Sequence, residues 1–124
     1  MSKVVVVDDE PFILMMIEDK LRKAGIEVIA LRDGRGAVEV IRREMPDLVI
    51  LDWMMPEVSG IDVCRSLKKD GATEHIPIFM LTAKGQDADE QVGLKCGVTR
   101  YITKPFSPKA LLDMVNEVVG HERA

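Results

Sequence analysis

The chain has 124 residues, 47% of them hydrophobic and 31% charged, with a formal net charge of −4, which suits one soluble domain with a single core. The acidic balance argues against a nucleic-acid surface on this domain, and the longest apolar run, "FILMMI" at 12–17, is too short to cross a bilayer. "MSK" leads straight into an apolar segment with no room for a signal peptide, and Cys64 and Cys96 form neither a metal-spaced pair nor a disulfide framework, so a reducing, cytoplasmic setting is expected.

The first segment, "VVVV" at 4–7, is apolar without alternation and runs into Asp8, Asp9, Glu10 and Pro11. Such a run predicts a strand buried on both faces, and Pro11 suits the first position of a helix. Leu14, Ile17, Leu21 and Ala24 then step at helical spacing until Gly25. A second strand is predicted at "IEVIA" 26–30, followed by a helical stripe of Ala37, Val40, Ile41 and Met45 that ends before Pro46. "DLVIL" at 47–51 predicts the third strand, and a helix is predicted from about Ile61 to Lys69. "IPIFML" at 76–81 is the fourth strand, with a weak helical pattern at about 86–96 that contains Gly93 and stops at Gly97. "TRYIT" at 99–103 is the fifth. In the last helix Ser107 caps, Pro108 starts, and Leu111, Leu112, Val115, Val118 and Val119 face inward. Five strand–helix alternations predict parallel strands joined by right-handed crossovers, a doubly wound α/β sheet. The more apolar first, third and fourth strands belong in its middle, and the second and fifth at its edges.

All strand carboxyl ends of a parallel sheet lie along one edge, where open α/β folds place their ligands. Here that edge collects Asp8 and Asp9, Asp52, Thr82 and Lys104. Two carboxylates about 4 Å apart repel by roughly 4 kcal/mol at an effective dielectric near 20. One acid suffices to favour a helix start, so the excess asks for a cation. Carboxylates with water completing an octahedron suit Mg²⁺ better than Zn²⁺, and Mg²⁺ held so openly usually serves phosphate chemistry. Lys104 adds a positive charge, Thr82 a hydroxyl for a phosphoryl oxygen, and a carboxylate can itself attack phosphorus. "GRG" at 34–36 is no dinucleotide fingerprint, since Glu39 stands where a small residue is needed. The acidic first loop likewise excludes a flavodoxin-type phosphate site.

In combination, "VVDDE" at 6–10, "LDWMMPEVSG" at 51–60, "LTA" at 81–83 and "YITKPF" at 101–106 resemble the response-regulator receiver domains, the CheY-like family of two-component signalling. The resemblance takes in the whole chain as one domain, 1–124, with a core of about 3–119. It implies the flavodoxin-like strand order 2-1-3-4-5 with helices on both faces. It also implies that Asp52 accepts a phosphoryl group from a histidine kinase or phosphotransfer protein, and that the chain is a signalling switch rather than an enzyme. By the same resemblance, Asp9 and Asp52 hold Mg²⁺ by their side chains, Met54 by its backbone carbonyl and Asp8 through water. Thr82 is the switch hydroxyl, Lys104 the phosphate-contacting lysine, Tyr101 the aromatic switch, and Pro105 follows a cis peptide bond. Output is expected on the face made by the helical segments at 86–96 and 107–119 with the fifth strand. That face would meet a downstream protein, an effector domain of a longer chain, or a second copy. Positions two after Asp52 and two after Thr82, which modulate phosphoryl lifetime in this family, are Met54 and Lys84, a pair that leans toward slow loss of the group. Glu10 is read as a helix-start charge and Trp53 as a packing residue without a chemical role. The alternative is a haloacid-dehalogenase-like aspartyl-phosphate hydrolase, which would want an acid at position 54.

Overall fold

Alternation along each strand divides the core into two layers, one on either face of the sheet. The computed structural model describes residues 2–83 and 96–119. Strands β1 (Lys3–Val7), β2 (Glu27–Leu31), β3 (Leu48–Asp52), β4 (Ile78–Ala83) and β5 (Arg100–Lys104) form one sheet in the order β2-β1-β3-β4-β5. Every neighbouring pair is parallel. Val5, Val7, Val49, Leu51, Ile78 and Met80 point to one face, where they bury Ala37 and Ile41 of α2 (Ala37–Glu44) and Ile61, Cys64 and Leu67 of α3 (Gly60–Lys69). Val4, Val6, Leu48, Ile50, Phe79 and Leu81 point to the other. There they pack on Leu14, Ile17 and Leu21 of α1 (Pro11–Lys23) and Leu111, Val115 and Val119 of α4 (Pro108–Val119). The doubly wound fold expected from the sequence is present, with β1, β3 and β4, buried but for Lys3 and Ala83 at their ends, inside and the partly exposed β2 and β5 at the edges.

Two expectations shift in detail. The strand ladders extend past the apolar runs, so Asp52, Thr82 and Lys104 are paired strand residues and not the first residues of loops. Backbone pairing does not require an apolar side chain, and periodicity underestimates it at the ends. In α2 the inward stripe is Ala37, Val38 and Ile41. Met45, expected to close that stripe, sits beyond the helix in the left-handed region (φ 46°) and is 43% exposed. Turning the chain toward Pro46 swings its side chain out of the core. The helical pattern at 86–96 lies outside the described residues apart from Cys96, and so does Lys84.

The loop after β3 is held tightly against the sheet. Ser59 caps α3 by accepting from the Asp62 amide (3.3 Å), and the Asp62 carboxylate accepts from the Ser59 amide (3.1 Å), a reciprocal capping box. The Gly60 amide donates to the Trp53 carbonyl at 3.0 Å. A Cβ at Gly60 would collide with the Asp52 carbonyl and come within 2.9 Å of Met80 Sδ. Only glycine lets α3 begin this close to the end of β3.

Candidate functional site

β1 ends in Asp8, which is fully buried. Its Oδ1 accepts the Glu10 backbone N–H at 2.9 Å, which fixes the carboxylate at the start of α1. Its Oδ2 is buried, receives no hydrogen bond and faces Lys104 Nζ at 3.2 Å as an ion pair. Asp52, at the end of β3, is 5% exposed, and its Oδ1 accepts from Lys104 Nζ at 3.2 Å. Lys104, at the end of β5, also donates to Glu10 Oε2 at 2.5 Å. The peptide bond between Lys104 and Pro105 is cis, as the resemblance implies. Asp9, Glu10, Asp52, Met54, Ala83 and Lys104 line an open cleft of about 200 Å³, room for a small anion with a hydrated ion.

Burial and crowding set the protonation of this cluster. Burial, with the neighbouring Asp8 charge second, pushes the Asp52 carboxyl up to about 7, against the opposing pull of Lys104. Burial likewise raises Asp8. For Lys104, burial works to lower the ammonium, but the bond to Glu10 and the charges of Asp52 and Asp8 outweigh it and hold the group above its usual range. Carboxylate oxygens of Asp8, Glu10 and Asp52 lie within 4.8 Å of one another. An all-oxygen donor set with one buried oxygen lacking a hydrogen bond fits a hard divalent cation such as Mg²⁺.

Of the residues selected from sequence, Asp8, Asp9, Asp52, Met54 and Lys104 meet at this edge. Thr82 is buried on β4, one step beyond Leu81, the register partner of Asp52. Side-chain alternation puts it on the face of Met80, whose register partner is Tyr101. The half-buried Tyr101 ring lies 6.3 Å from that of Trp53, tilted by 37°. Trp53 is buried, and its amide donates to the Leu81 carbonyl at 2.9 Å. Met54 is 60% exposed at the cleft mouth. The residue that the sequence undervalued is Glu10. It occupies the helix-start position, but its side chain makes no capping hydrogen bond and reaches across to Lys104 instead. The available signal was its place beside two other acids at a strand end.

Comparison with known proteins agrees with this geometry. Residues 4–116 match the family model described as the response regulator receiver domain. The chain is 45% identical over 116 residues to the phosphate regulon transcriptional regulatory protein PhoB of Pseudomonas aeruginosa, covering 94% of this chain and 51% of that protein. The chain thus spans about half the length of the curated relatives it matches. Among solved structures, chemotaxis protein CheY4 of Vibrio cholerae superposes with a TM-score of 0.89 at 33% identity, covering 96% of this chain and 99% of that one. The receiver domain of a Pseudomonas aeruginosa sensor histidine kinase, which has a magnesium ion coordinated in its active-site cleft, superposes with a TM-score of 0.86 at 28% identity, covering 96% and 98%. The buried acids, the lysine on the last strand and the matches over nearly the whole chain agree: this protein belongs to the response regulator receiver domain family.

Proposed function

We propose that the chain is a phosphorylation switch in which Asp52 takes a phosphoryl group from the phosphohistidine of a histidine kinase or phosphotransfer protein. The observation that carries this is the placement of Asp52: buried among acids, hydrogen-bonded to Lys104, yet open to a cleft of phosphoryl size. An Asp52 carboxylate oxygen attacks phosphorus, a P–O bond forms as the P–N bond breaks, and the electron pair leaves with the imidazole. Lys104 lies where it can meet charge on the transferring oxygens. Asp8, Asp9, Asp52 and the Met54 backbone carbonyl would hold Mg²⁺, which when bound neutralises the acids and the phosphoryl oxygens. Thr82 then follows the phosphoryl group, and the Tyr101 ring, which shares its face, resets the surface around β5. The partner on that surface is a downstream protein, a second copy, or an effector domain of a longer chain, in the cytoplasm.

The test is incubation with Mg²⁺ and acetyl phosphate. One acid-stable, base-labile phosphoryl group is expected on the wild type and on Asp19→Asn, an exposed position of α1, and none on Asp52→Asn. Rapid turnover of many unrelated phosphate esters would overturn the switch in favour of a hydrolase.

A further inference from the structure

Three carboxylates surround the Lys104 ammonium. It donates to Glu10 at 2.5 Å and to Asp52 at 3.2 Å, and it pairs with Asp8 at 3.2 Å. Three carboxylate oxygens within 3.2 Å crowd the ammonium against a fourth. If Lys104 is to bind an incoming phosphoryl oxygen, as the function proposed above requires, one carboxylate has to let go. Asp8 is fully buried and anchored by the Glu10 amide. Asp52 is buried at a strand end and is itself the acceptor. Glu10 alone of the three has an exposed side chain, at 56%, and no capping bond to α1 restrains it.

We propose that Glu10 is a displaceable gate on Lys104, holding an ammonium donor that the phosphoryl group would use and swinging into solvent before transfer. It acts through Lys104 and is therefore a positioning residue. A phosphoryl dianion added beside Glu10 puts a further like charge on an ammonium that already carries three carboxylates, so donor binding and the Glu10 contact oppose each other. The gate sets how readily the acceptor is charged by a donor that makes few other contacts. A protein donor with a large docking surface can displace Glu10 with binding energy gained elsewhere, whereas a small phosphodonor displaces it less readily. Glu10 thus favours protein donors over small metabolic phosphodonors.

The experiment compares wild type, Glu10→Gln and Glu10→Asp for their phosphorylation rates with subsaturating acetyl phosphate, and for Mg²⁺ binding followed by Trp53 fluorescence. Glutamine removes the charge and the competition. Aspartate keeps the charge but is shorter by about 1.5 Å, and as a favoured N-cap residue it turns toward the α1 amides instead. Both variants should be phosphorylated about two- to fivefold faster than wild type, the range set by loss of one exposed ion pair, with Mg²⁺ midpoints within about twofold of wild type. Faster reaction of Glu10→Gln alone would mean general charge repulsion and overturn the gate. Weaker Mg²⁺ binding with slower phosphorylation in Glu10→Gln would make Glu10 a metal ligand and overturn it equally. Three equal rates would refute the gate while leaving the switch intact, and a wild type that takes no phosphoryl group would remove both.

Discussion

Asp52 shows how burial sets the behaviour of a single residue. Its carboxyl is raised to about 7 by burial and by Asp8, above the ordinary 3.8 that it has when unfolded. An acid raised on folding lends stability below its unfolded pKa and loses that contribution as pH climbs through the folded value. In the metal-free protein, Asp52→Asn should therefore raise stability by on the order of 2 kcal/mol at pH 8 and by little at pH 4. Urea unfolding at the two pH values measures this, and an equal effect at both would refute the assignment. The same proton competes with a cation, because ligating carboxylates must be ionised. Mg²⁺ affinity, read from Trp53 beside the site, should rise up to about tenfold per pH unit below 7 and level off above it. Asp9→Asn should weaken that binding at every pH.

At the scale of elements, the place of Asp52, the proposed acceptor, depends on how α3 meets β3. Gly60 admits no side chain because the Asp52 carbonyl and Met80 Sδ occupy the space a Cβ would need. Gly60→Ala must push the helix away from the strand, at an expected loss of roughly 2–3 kcal/mol. It should also slow phosphorylation, since the displaced backbone carries Asp52. Ser59→Ala removes one half of the capping box and should cost about 1 kcal/mol with phosphorylation preserved. Urea midpoints and acetyl phosphate kinetics on the two variants separate the effects. Equal slowing in both would show that helix stability, and not the close approach, governs the site. The described elements were legible from periodicity and punctuation. The contact between α3 and β3 was not, because a glycine in a loop does not announce which backbone lies against it.

For the whole molecule, the question is whether the proposed acceptor and the β5 face move together. Thr82 and Tyr101 lie on one face of the sheet, and Tyr101 packs beside Trp53, the residue after Asp52. An event at Asp52 therefore has a short packed route to the surface around β5. With Mg²⁺ and beryllofluoride, an unreactive phosphoryl mimic, NMR shifts should extend from Asp52 through Thr82 and Tyr101 to β5 and α4. Thr82→Ala should keep phosphorylation while reducing the shifts beyond β4 to the level of the metal-only protein. Shifts confined to the loops around Asp52 in the wild type would refute the coupling.

The amino-acid sequence by itself determined the sheet, its buried middle and the meeting of Asp8, Asp9, Asp52, Thr82 and Lys104 along one edge. It could do so because hydrophobic period sets strand and helix, and parallel strands bring all their carboxyl ends together. Only the tertiary structure decided which of those groups touch. Glu10 and Lys104 are 94 residues apart and meet at 2.5 Å, and Tyr101 finds Trp53 across β4. The buried environment that lifts Asp52 arises from the same convergence. Such contacts depend on rotamers and on the packing of distant elements, which a linear pattern does not encode.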